Sequence, residues 1–266
     1  AGLTLFFLWP FLLSIWYAFM SRPVNGVFVG FTNFAQLLQN KVYLLGLKNT
    51  LLFIIVTVPL GMSFSLVLAM MIRRVKKKEL FVLIFLIPLV IPSGSTVFFW
   101  KALFLKQGYI NGVLTAAGFP EVDWLESAAA FFVIVLIFIW KNLGYNMVLF
   151  LAGLNNIPKE HYEAAAVDGA GGMAVFFRIT LPGLLPMTVL ITVMSVINSF
   201  KVFKETYLLT GNYPPESVYM LQHFMNNMFY SLNYQKLTTA TCILVLLITL
   251  LVRFLLRFER RHGNET

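Results

Sequence analysis

Six apolar runs, each near the ~20 residues that a helix needs to cross a hydrocarbon core, leave this chain almost no room for a water-soluble fold. They cover residues 3–20, 50–72, 80–100, 127–154, 183–203 and 237–256. Lipid offers a backbone amide no partner, so each run is expected to be a helix. Charged residues make up 12% of the chain, against about 25% in an average soluble domain, which leaves little to clothe a wetted surface. The sequence therefore specifies an all-α integral membrane protein with six transmembrane helices.

Basic residues set the expected orientation. Arg73, Arg74, Lys76, Lys77 and Lys78 fill the connection after the second run, and Arg253, Arg257, Arg260 and Arg261 crowd the end of the sixth. By the positive-inside rule both segments face the cytoplasm, and six spans then put both chain ends there. The net charge of +9 reports this topology and contact with anionic lipid headgroups. It does not indicate nucleic acid, which would need a basic stripe on a soluble face. The chain starts with Ala1 directly before an apolar run, so residues upstream are expected to be missing.

Several chemistries find no residues here. Cys242 is alone, and His161, His223 and His262 fall in separate segments, so no metal or disulfide framework is expected. No Gly-x4-Gly-Lys-Ser/Thr phosphate loop occurs, so ATP has no backbone cradle in this chain. The six runs hold no Asp or Glu in their interiors, whereas proton- and sodium-coupled carriers use such groups as relays. The chain reads as neither an enzyme nor a secondary transporter.

Residues 155–182 are a polar island within this apolar chain. Pro158 suits the first turn of a helix, residues 159–167 are good helix formers, and Gly169 is placed to end that helix in the left-handed conformation. A second helical piece is expected over 173–180, giving helix, bend, helix at the membrane face. Glu163 offers one charge for pairing, and small Ala164 and Ala165 let a partner approach closely. Glu163-Ala164-Ala165, three residues, Gly169, nine residues, Ile179, one residue and Leu181-Pro182 form an unbroken pattern. With Phe31-Thr32-Asn33-Phe34, Asn49-Thr50, Pro88, Pro92 and Leu208-Leu209-Thr210-Gly211, it resembles the permeases of binding-protein-dependent ABC importers, on their carbohydrate-uptake branch. The outer segments 211–215 and 233–235 depart from the usual pattern of that branch.

The resemblance implies one transmembrane permease domain over residues 1–266, of the type I ABC importer kind, in a bacterial or archaeal inner membrane. It implies that 155–182 is a cytoplasmic coupling loop in which Glu163, Ala164, Ala165, Asp168 and Gly169 meet a cytoplasmic ABC ATPase dimer. ATP and Mg would belong to that partner, with no cofactor here. A second related permease and an extracytoplasmic solute-binding protein complete the expected assembly. The solute path is expected at Leu89, Ser93, Trp140, Leu143, Gly144, Ser195 and Ser199.

Residue chemistry adds Asn198 and Lys141 to that path. A lysine at mid-membrane costs about 2.5–3.5 kcal/mol on insertion scales, so it should face a cavity or partner. Lys141 has no acidic mate within the six runs, while Lys201, nearer its span's outer end, is expected to snorkel. Hydroxyls and aromatic faces suit a sugar or oligosaccharide. The alternatives are an importer for an amino acid, a polyamine or phosphate, and a scaffold without a path.

Overall fold

The computed structural model describes residues 2–262, with side chains described as far as Glu259, so Ala1 and the side chains of Arg260, Arg261 and His262 lie outside it. The described residues form helices α1 (Thr4–Ala18), α2 (Thr32–Leu38), α3 (Lys41–Ile72), α4 (Lys78–Val90), α5 (Ser93–Phe104), α6 (Tyr109–Ala116) and α7 (Ala130–Asn156). There follow α8 (Lys159–Val167), α9 (Gly172–Val175), α10 (Leu181–Gly183), α11 (Leu185–Lys201), α12 (Phe203–Thr210), α13 (Leu221–Tyr230) and α14 (Tyr234–His262). Four helical stretches are long and apolar enough to cross a membrane: α3, α7, α11 continued by α12, and α14. α1 is a shorter apolar helix, and α4 with α5 and α6 forms a bent pair that counts as a fifth span if taken together.

The third span corrects the sequence reading. Residues 80–100 are not one helix: α4 stops at Val90, Ile91 is extended, and the chain beyond Ser93 leaves at 95°. Pro92 explains the break, because its ring excludes the residue before it from helical geometry and it carries no N–H for the helix ladder.

α7 is the hub. It packs along α3 on one side and α4 on the other, with α11 touching both α3 and α7. One buried cluster joins Phe53, Val97, Trp100, Ile134 and Phe138, and a second joins Ile72, Met147, Phe150, Leu154 and Ile191. Half of the most apolar stretch of α7 is buried, against 11% of that of α14, so α14 offers its surface to lipid or to another subunit.

Polar residues close one end of the bundle. Asn33 donates to the carbonyls of Ala18 and Met20, both at 2.9 Å, satisfying groups left bare where α1 stops. Asn49 donates to the carbonyls of Glu216 and Tyr219, and the Thr50 hydroxyl accepts from the amide of Leu221. These bonds fasten the segment before α13 to α3.

His223 completes this layer. Its Nδ1 accepts from the amide of Met220 at 3.2 Å, and its ring meets Phe203 edge-on. Burial pushes its pKa down from 6.5 to about 4. In the unfolded chain His223 binds a proton below its ordinary value, whereas the folded layer refuses one until about 4, so stability is full above about pH 6.5 and lost as pH falls toward 4. The shift corresponds to ~3 kcal/mol. The expected result is a melting temperature that drops between pH 6.5 and 4 in the native protein and much less in His223→Phe; equal drops in both would refute the assignment.

Candidate functional site

At one face of the bundle the chain leaves α7 through Ile157 and Pro158 and enters α8. The extended conformation of Ile157, again a residue before proline, turns the path sharply. α8 ends at Asp168, and Gly169 takes φ 66°. The amide of Ala170 reaches the carbonyl of Ala165 at 2.9 Å and that of Gly169 reaches Ala166 at 3.2 Å. This is the paired bonding of a Schellman ending, in which the left-handed residue is glycine because a Cβ would be strained there.

Glu163, Ala164, Asp168 and Gly169 are exposed on this loop, whereas Ala165 is buried. Ala165 therefore packs inward and leaves the close approach to Ala164. Val167 is 88% exposed and Met173 72%, giving the loop an apolar surface beside the Glu163 charge that sequence reasoning did not single out. Their signal was legible as apolar residues in an otherwise polar stretch. Tyr162 anchors the loop: its hydroxyl lies 3.2 Å from that of Thr180, and Arg73, at the end of α3, sits 5.5 Å above its ring. The loop is thereby fastened beside the end of α3.

A cavity of about 370 Å³ with charged residues in its wall opens between α4, α5, α7, α11 and α12. Lys141 Nζ lies 2.6 Å from Glu205 Oε1, and the Ser93 hydroxyl donates to the same oxygen at 2.9 Å. Lys141 thus has an acidic mate, contrary to the sequence reading. Glu205 lies beyond the apolar run that ends at residue 203, but the helix continues as α12 to Thr210 and buries the carboxylate. It is 4% exposed, and such a charge is tolerated inside only when paired and hydrogen-bonded. The break at Pro92 aims Ser93 at it.

Four of the residues expected on the path line this cavity: Leu89, Ser93, Lys141 and Asn198. Lys201, expected to snorkel, lines it too, as does Lys204. Asn198 donates to Asn142 Oδ1 at 3.0 Å. The other five lie elsewhere. Trp140 stacks with Phe99 and meets Trp100 edge-on, and the carbonyl of Leu143 accepts from Ser65. Gly144 lies against the backbone of Phe85. Ser195 accepts from Asn146, while Ser199 donates to the carbonyl of Val196. The polar side of α11 thus divides between helix contacts and the cavity.

Long apolar helices, a broken span, a charge pair in a cavity and an exposed helical hinge together define a multi-pass membrane transport subunit. The chain belongs to the family of binding-protein-dependent transport system inner membrane components, whose family model matches residues 58–263. It is 31% identical to the sn-glycerol-3-phosphate transport system permease protein UgpA of Yersinia pseudotuberculosis serotype I (strain IP32953), over 97% of this chain and 90% of that protein. It is 33% identical to the arabinooligosaccharides transport system permease protein AraP of Bacillus subtilis (strain 168), over 80% of this chain and 70% of that protein. Its fold matches a chain of a bacterial ABC transporter involved in the import of the acidic polysaccharide alginate. That match has a TM-score of 0.83 at 24% identity and covers 97% of this chain and 91% of the other.

Proposed function

We propose that this chain is one permease of an ATP-driven importer, forming half of a path for a sugar or oligosaccharide. UgpA and AraP are named as permeases for glycerol phosphate and arabinooligosaccharides, which supports this solute class. An alginate transporter solved in complex with a pentasaccharide-bound periplasmic protein supports delivery by a binding protein. ATP hydrolysis falls to a separate ATPase dimer in the cytoplasm, and a second, related permease closes the path. The basic segments at 73–78 and 253–261 support an orientation with both chain ends in the cytoplasm of a bacterial or archaeal cell.

The observation that carries this reading is the exposed hinge at Gly169, joined through Tyr162 and Arg73 to the spans. Glu163, Ala164, Asp168 and Gly169 form the face offered to the ATPase, with Val167 and Met173 beside them. A Cβ at Gly169 would touch nothing within 4 Å, so only its φ of 66° opposes a side chain there. Gly169→Val should therefore leave the spans inserted but move the hinge, with solute uptake falling at least ~10-fold while ATP hydrolysis persists, since a strain of ~1–2 kcal/mol redirects a loop of this kind. Uptake and ATP hydrolysis measured together in proteoliposomes containing the whole importer test this. Native uptake in the variant would reject the coupling role.

A further inference from the structure

The cavity beside Lys141 carries more positive than negative charge. Its wall holds the ammonium groups of Lys141, Lys201 and Lys204 against the single carboxylate of Glu205. Lys141 is committed to that carboxylate, and so is the Ser93 hydroxyl. Asn198 donates to Asn142, whose own amide donates to the carbonyl of Phe138. Much of the neutral hydrogen-bonding capacity of the wall is therefore spent within the protein. Lys201 and Lys204 are exposed, and among the described residues the only side-chain ion pair is that of Lys141 with Glu205.

We infer that this cavity selects a solute bearing a negative charge, a carboxylate or phosphate ester on a sugar or polyol, and that Lys201 and Lys204 are the residues that recognise the charge. The inference rests on the importer reading and narrows its solute class. Two exposed ammonium groups in the wall of such a cavity concentrate an anion there. A second step follows from the inner pair: an anionic group entering the cavity competes with Glu205 for Lys141, so Glu205 sets how deeply the anion is held. A neutral sugar would gain nothing from these lysines beyond single donor bonds.

The test uses the whole importer in proteoliposomes with its binding protein outside and ATP inside. Uptake is compared for two probes of similar size, an oligogalacturonate and a malto-oligosaccharide. The expected result is a preference for the oligogalacturonate that weakens as salt is raised. In Lys201→Gln/Lys204→Gln the ratio of anionic to neutral uptake should fall roughly tenfold, as two charge contacts of this exposure suggest. Lys201→Arg/Lys204→Arg should keep the native ratio, which a merely structural role for the lysine stems would not predict. Preferred uptake of the neutral probe, or an unchanged ratio in the glutamine variant, overturns the inference and leaves the importer reading intact. If neither probe nor glycerol 3-phosphate is taken up in an ATP-dependent way by the native assembly, the importer reading fails and this inference fails with it.

Discussion

Lys141→Leu is expected to destabilise the protein by about 3–5 kcal/mol, the range found when one member of a buried ion pair is removed. The cost arises from what is left behind. The side chain of Glu205 is 6% exposed and would keep its carboxylate with only the Ser93 hydroxyl to hold it, whereas the side chain of Lys141 is 18% exposed and can reach water along its stem. Glu205→Leu should therefore cost less than Lys141→Leu. The double variant, with no orphaned charge, should recover most of the loss while uptake stays low. Thermal unfolding of the four proteins in lipid nanodiscs gives the cycle. Additive losses would show that the two charges do not act on one another, and native uptake in the double variant would remove the pair from the path.

Lys141 also shows how far the sequence could be read. Its cost in the membrane was legible from composition alone, because any ionised group in an apolar run needs a reason. Its partner was not, because Glu205 follows the apolar run and hydropathy cannot tell a helix that stops at the membrane edge from one that continues inward as α12. Likewise Pro92 announced a weak point, but a kink and a 95° break look the same in sequence. Beyond the break Ser93 meets Glu205, 112 residues away, a contact that no local pattern announces. By contrast the form of the loop at 155–182 was legible almost residue by residue. Its form is local: Pro158 starts α8, Gly169 ends it, and the bonds of that ending span only a few residues.

The path residues fall between these extremes. Ser195 and Ser199 lie one turn apart on α11 and both are buried, Ser195 against Asn146 and Ser199 on the carbonyl of Val196, while Asn198 lines the cavity. Knowing which side of α11 meets α7 was necessary to separate them, and that depends on tertiary packing. Ala165 carries the same lesson on α8. Its small size suggests access for a partner, but the residue is buried within the chain.

Gly144→Ala is expected to be the most disruptive single-methyl change in the chain. A Cβ at Gly144 would overlap the carbonyl group of Phe85 and lie 3.0 Å from the amide nitrogen of Leu86, so α4 could make room only by moving its backbone away from α7. Overpacking of a core typically costs 1–3 kcal/mol when side chains can adjust, and backbone cannot, so a loss of about 3 kcal/mol or more is expected. Displacing α4 also shifts the Ile91–Pro92 corner at its end, which aims Ser93 at Glu205. Gly61→Ala is the matched control on α3: there a Cβ would meet nothing nearer than a side-chain carbon of Ile139 at 4.0 Å. Its effect should be neutral or slightly stabilising, by up to ~1 kcal/mol from helix propensity. Melting temperatures of both variants in nanodiscs, with uptake measured alongside, decide the matter. If Gly144→Ala melts with Gly61→Ala, then α4 and α7 are not in close backbone contact, and the position of Ser93 has another cause.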